Sequence, residues 1–357
     1  MSRATPSLRE TLARAGIAVA GKEPRPSLET PWYVRALQAL SGWLAALFLL
    51  GFIGLGAIPL IESSLASMVL GLTMLATAYG LLRKTPGDFG EHLALAISLA
   101  GQGLAVWAVG TFLGGMSVGL WWAVLALQAV LAMAMPSSTH RILAAFAASL
   151  ALYMVMAQSG IPYTASGLIL LALTWLWLNE FRWPARMRRM QSLGYGLLLG
   201  LLTLQLVAYF GQPLMGWWYG FDTALLSWMG PWTADVLAML ALLLLLRHVF
   251  QHQERPIEPV IRIVAYGAVV VLMLASFQAH GVIQGGVVVV LGFAIGNRVV
   301  TGLGVILLLL SIGSYYYLLD VTLLIKAMTL FAIGVLLLAM RWLLRYRWQT
   351  AEGDVDE

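Results

Sequence analysis

The chain has 357 residues, of which 61% are hydrophobic and only 10% charged, whereas soluble domains carry about 25% charged residues. That composition excludes an ordinary soluble globular domain. The absence of cysteine excludes disulfides, thiolate metal sites and cysteine nucleophiles. A net charge of +5 raises nucleic acid as a partner, but the placement of the positive residues marks membrane topology instead.

Residues 1–34 read as a cytoplasmic segment outside the lipid. Ser7 and Glu10 have capping-box spacing, which predicts a short, weakly amphipathic helix from Leu8. Its Arg9 and Arg14 suit the anionic inner leaflet. No cleavable signal peptide is evident, and the first apolar stretch reads as an uncleaved first span.

From residue 35 to 346 the pattern is that of an all-α, polytopic transmembrane bundle. Twelve apolar spans are expected, at about 37–60, 65–82, 92–112, 118–135, 142–157, 161–179, 192–211, 233–249, 260–277, 281–296, 299–317 and 321–342. The fifth and tenth are the shortest. Placing the N-terminus inside puts every lysine and arginine except Lys326 on the cytoplasmic side, as the positive-inside rule demands. The outer segments then carry Glu62, Asp222, Asp235 and Asp320. Residues 347–357 form an acidic cytoplasmic tail. The expected location is the cytoplasmic (inner) membrane, with both termini inside.

Several groups of residues are candidates for function. Lys326 lies within the last span, and an ionisable residue there is a functional candidate by default. It sits six residues after Asp320, about 9 Å along a helix and about 240° around it. The two do not share a face, so Lys326 meets another helix or snorkels to the outer headgroups. Gln278, His280 and Gln284 lie at the outer side of the ninth and tenth spans, and His280 and Gln284 share a helix face. With Asp320 and Lys326 they make a candidate intramembrane polar site, as a proton relay or as interhelical hydrogen bonding. Gln102, Gln128 and Gln205, near the middle of their spans, read as polar glue.

The outer loop 212–232 carries Trp217, Trp218, Tyr219 and Trp228. It is a candidate surface for a partner or lipid, or simply an aromatic belt. The inner stretch "EFRWPARMRRM" (180–190) offers Arg186, Arg188 and Arg189 to anionic lipid headgroups. His248 and His252 have metal-ligand spacing, but no third ligand lies nearby except Glu254 and the segment is basic, so no metal is expected. No cofactor is expected either. The glycines of "GYGLLLG" and "GLGVIL", and the pairs Gly110/Gly114, Gly115/Gly119 and Gly292/Gly296, suit close helix packing.

Two stretches, "PWYVRALQALSGWLAALFLLGFIG" (31–54) and "GNRVVTGLGVILLLLSIGSYYYLLDVTLLIKAMTLFAIGVLLLAMRW" (296–342), together resemble the bacterial integral-membrane family catalogued as domain of unknown function 4401 (DUF4401). The matching positions are Pro31, Trp32, Tyr33 and Arg35 at the front. At the back they are Gly296, Asn297, Arg298, Gly302, Gly304, Tyr316, Tyr317, Lys326, Arg341 and Trp342. The resemblance implies a multi-spanning inner-membrane protein without assigned activity. It also implies a small membrane-anchored partner named for a Gly-Asp-Tyr motif, which this chain lacks.

Three functions compete. The first is a non-enzymatic membrane subunit working with such a partner. The second is a secondary transporter using Lys326, Asp320 and His280. The third is an enzyme on a lipid-linked substrate using Glu62, Asp222 and Asp235, which are scattered in sequence. The first is the expectation, with the lipid bilayer as solvent and no nucleic-acid partner.

Overall fold

A computed structural model describes residues 63–84, 88–209, 232–251 and 281–318 continuously, with scattered helical positions between 33 and 51, 259 and 270, and 324 and 338. The continuous stretches form nine α-helices: α1 (Ser64–Lys84), α2 (Asp88–Phe112), α3 (Val118–Ala134), α4 (Ser138–Gln158), α5 (Pro162–Leu178), α6 (Met187–Tyr209), α7 (Trp232–Gln251), α8 (Val282–Ala294) and α9 (Arg298–Leu318). Two 3-10 turns, Glu180–Arg182 and Pro184–Arg186, join α5 to α6. No β-strand occurs among the described residues.

Each helix falls on an expected span. The fifth span proves longer than its apolar stretch, because α4 starts at Ser138 and runs for 21 residues. Its first turn is polar, and Ser137 caps it by accepting the His140 backbone N–H at 3.2 Å. The tenth span is short as expected, since α8 has 13 residues. The expected spans 37–60, 260–277 and 321–342 lie outside the continuously described residues, as does the Ser7/Glu10 cap. Five helices (α1, α2, α4, α6 and α7) are long and apolar enough to cross a membrane.

Pairwise contacts fix the helix directions. Added Cβ atoms on Gly71 of α1 and Gly101 of α2 would each strike the other's carbonyl oxygen. Ser64 and Thr111 bond at 2.8 Å at the far ends of the same pair, so α1 and α2 are antiparallel. Helix α4 runs parallel to α6, because Ile142 meets Gly196 and Ser149 meets Gly200. Helix α5 runs parallel to α7 through Thr164–Thr233 and Gly167–Leu237. The α8–α9 hairpin closes with Gly285 on Leu308 and Gly292 on Thr301.

Helix ends therefore sort into two sets. Every described lysine and arginine lies at one end, here called the basic end, near Lys84, Arg141, Arg186, Arg247 and Arg298. Arg262 belongs there too, with its guanidinium 6.0 Å from the Phe250 ring in the last turn of α7.

The largest apolar core is built from α5 to α9. Ile169, Leu170, Leu173 and Trp177 of α5 meet Leu198 and Leu201 of α6, Leu245 of α7, Val287, Val288 and Leu291 of α8, and Leu307 of α9. A smaller core joins α1, α3 and α4 through Leu75, Leu131, Met135 and Ala144. The outside is equally apolar: Trp107, Phe112, Val130, Met133, Trp175, Phe293 and Leu309 are exposed. In water such a surface would aggregate, whereas lipid is its natural solvent.

Glycines set the helix separations, though not all those the sequence indicates. Gly194, Gly196, Gly200, Gly292 and Gly304 each sit where a Cβ would collide with the neighbouring helix. Gly110 makes only ordinary contact with Leu120, Gly119 is likewise uncrowded, and Gly302 faces open space. Gly114, Gly115 and Gly296 have positive φ and turn the chain after α2 and α8. The Gly110/Gly114 and Gly115/Gly119 pairs are thus turn chemistry, not a packing motif.

Candidate functional site

Polar residues at spacings of seven and four lie on one face of a helix. Glu91, Ser98 and Gln102 of α2 have that spacing, and all three face the α3–α4 hairpin. Ser137 donates to Glu91 Oε1. His140 Nε2 and Ser98 Oγ are 2.7 Å apart. Gln102 Nε2 donates to Ser98 Oγ at 3.1 Å, and Gln128 Nε2 donates to Gln102 Oε1 at 2.7 Å. Ser98, Gln102, Gln128 and His140 are all buried. The stripe from Glu91 to Gln102 covers about 16 Å of helix axis, so a polar string runs from the basic end roughly halfway across a bilayer core of about 30 Å.

Ser98 Oγ accepts from Gln102 and still has one hydrogen to give and one lone pair to offer, so it can pair with His140 Nε2 in either imidazole tautomer. At the two ends of the Gln128–Gln102–Ser98–His140 run, Gln128 Oε1 and His140 Nδ1 are buried without a described partner. His92 Nδ1 and Trp121 Nε1 share that state. Among the described residues, all four such atoms belong to α2, α3 and α4.

Arg141 follows the string. It is buried, with Nε donating to the Ala132 carbonyl at 3.0 Å and an Nη to the Met135 carbonyl at 2.7 Å. A guanidinium therefore satisfies carbonyls left free where α3 ends. The sequence marks Arg141 only as one of the inner basic residues.

A second polar cluster lies at the opposite end, between α5, α6, α7, α8 and α9. Asp235, in the first turn of α7, is fully buried and accepts the Gly281 backbone N–H at 3.4 Å. Gly281 precedes α8 with φ +86°, and the Gln205 amide and Ser311 hydroxyl press against it. Ser311 donates to the Gly281 carbonyl at 3.0 Å. Gln284 is buried and donates to Ser166 Oγ at 3.3 Å. Asp235, which the sequence assigns to the outer surface, is therefore enclosed by protein.

Of the sequence-predicted polar site, only Gln284 falls among the described residues, and it joins α8 to α5. Gln278, His280, Asp320 and Lys326 lie outside them. So do Trp217, Trp218, Tyr219 and Trp228 of the outer loop, Glu62, Asp222 and His252. Arg186, Arg188 and Arg189 are exposed at the basic end, in the second 3-10 turn and the first turn of α6. Near them, the Asn297 amide donates to Tyr195 Oη at 2.8 Å, and Tyr195 stacks edge-on against buried Trp177 at 5.8 Å. Asn297 also caps α9 by accepting from Val299 and Val300. Glu180, in the connection between α5 and α6, is buried. Burial pushes its carboxyl above the ordinary range, partly offset by a hydrogen bond with Gln191.

The sequence signalled Gln102 and Gln128 through their mid-span positions. It missed Ser98, whose signal was the helical spacing from Glu91 through Ser98 to Gln102 on α2, and His140, which lies on α4 outside that stripe and carries no such signal.

An all-helical bundle with several bilayer-length helices and internal polar contacts defines a membrane protein of unassigned activity. The family model described as a domain of unknown function, DUF4401, matches residues 31–347, and the chain belongs to that family. No curated protein and no solved structure matches it.

Proposed function

We propose that this protein is a non-enzymatic, multi-spanning subunit of the bacterial inner membrane that works with a small membrane-anchored partner. The observation supporting this is how its intramembrane polar side chains are used. Gln128–Gln102, Ser98–His140, Gln284–Ser166 and Asn297–Tyr195 all tie one helix to another. Such pairs act as glue in a scaffold. The clustering of basic residues at one end supports a cytoplasmic placement of that end, and the arginines and lysines near both ends of the sequence support the same side for both termini. The test is purification of the tagged full-length protein in mild detergent. A small anchored protein recovered in near-stoichiometric amount is the expected result, and a lone chain overturns the proposal.

One observation favours a secondary transporter instead. His140 Nδ1 and Gln128 Oε1 are buried without a described partner at the two ends of the Gln128–Gln102–Ser98–His140 run, and intramembrane ionisable groups mark ion pathways. On that reading His140 joins Lys326, Asp320 and His280 as a coupling group. Flux into proteoliposomes that is lost in Lys326→Met or His140→Phe, at unchanged protein abundance, would support it.

A further inference from the structure

The connection between α5 and α6 separates its charges in an informative way. Its carboxylate, Glu180, is turned inward and buried, bonded to Gln191. What faces outward is basic and aromatic: Arg186, Arg188 and Arg189 are exposed, and so are Phe181 at 65% and Trp183 at 44%. Arg182 is exposed beside them and bonds Asn179 Oδ1 at 3.4 Å. A loop bathed only in water gains nothing from displaying Phe181 and Trp183. An acidic protein segment would account for the arginines but not for two aromatic rings at the mouth of two apolar helices. A bilayer surface accounts for both, because aromatic rings settle at headgroup level and guanidiniums grip phosphate oxygens.

We propose that residues 181–189 form a binding site for anionic phospholipid. Phe181 and Trp183 seat in the interface, and Arg186, Arg188 and Arg189 hold the headgroup phosphate. The site rests on the bundle crossing a bilayer, not on any protein partner, so the copurification result leaves it untouched.

The cysteine-free sequence permits a site-specific test. Ala185→Cys, labelled with a small fluorophore, is reconstituted as full-length protein into vesicles of phosphatidylcholine containing a minor share of brominated lipid. Brominated phosphatidylglycerol is expected to quench several-fold more efficiently than brominated phosphatidylcholine at equal mole fraction, and high salt should shrink the difference. Arg186→Gln/Arg188→Gln/Arg189→Gln in the same background should bring the two lipids to parity. Because that variant is prone to misinsert, the lysine triple at the same positions is measured beside it and should keep most of the preference. Equal quenching by both lipids in the unsubstituted loop overturns the proposal. So does a preference that survives the glutamine triple, or one abolished by free phosphate or an acidic peptide at an ionic strength at which sodium chloride leaves it intact.

Discussion

Replacing Gln102 by leucine removes the middle of the polar string, and the size of the effect follows from its bonds. One interhelical bond, from Gln128 at 2.7 Å, and one bond along α2 to Ser98 are lost. Gln128 is then left with no partner for an amide whose oxygen is already open. An interhelical hydrogen bond in a membrane protein contributes about 0.6–1.7 kcal/mol, and a stranded buried amide costs about 1–3 kcal/mol, so Gln102→Leu should destabilise by about 2–4 kcal/mol. Gln128→Leu should cost less, because Gln102 keeps Ser98. The double variant should recover much of the loss, since both partners of the interhelical bond are then apolar. The three stabilities can be read from unfolding against SDS mole fraction in mixed micelles. A coupling energy of about 1–3 kcal/mol is expected. Costs that add would show that the bond is not made and would undo the glue argument for α2 and α3.

Gly71→Ala should cost about 1–3 kcal/mol, because its Cβ would lie 2.7 Å from the Gly101 carbonyl oxygen, where only backbone can yield. Gly103→Ala, with open space around it, should instead stabilise by up to about 1 kcal/mol; the same micelle assay separates the two. Arg141→Met should destabilise by about 2–4 kcal/mol through the loss of two charged hydrogen bonds to the end of α3, and Arg141→Lys should not restore full stability, since one ammonium replaces a two-armed fork. Glu180 has a raised folded-state pKa, so its contribution is most favourable below the ordinary carboxylate value and is lost as pH rises through the folded value. Glu180→Gln should therefore raise the unfolding midpoint at pH 8 relative to wild type and leave it little changed at pH 4.

The helices were legible because each is an apolar block closed by turn residues. Pro162 opens α5 at a position where no backbone donor is needed, and Asn297 caps α9. What joins the helices was less legible. Gln102 and Gln128 could each be recognised as polar in an apolar span, but not as partners of one another, since the bond exists only once α2 lies against the α3–α4 hairpin. Arg141 counted towards topology because nothing in its sequence neighbourhood shows that its side chain turns back towards α3. The Gly110/Gly114 spacing misled for a related reason: a four-residue interval says nothing about whether the second glycine is still helical, and Gly114 is not. Lys326, the most conspicuous residue of the sequence, lies outside the described residues.

The shortness of α8 bears on how the chain enters the bilayer. Thirteen residues rise about 20 Å, well short of a hydrocarbon core of about 30 Å. A segment of that length leaves backbone donors and acceptors at membrane depth, which lipid cannot satisfy. Here protein does so: Asp235 takes the Gly281 N–H, while Ser311 meets the Gly281 carbonyl. Neither residue is on α8. The segment is thus a poor candidate for leaving the translocation machinery alone, and it is expected to partition together with α9, to which Gly285, Gly292 and Gly304 fit it closely. A chain truncated just after Ala294 would present the insertion machinery with an incomplete hairpin, and the quality-control proteases with a ready substrate.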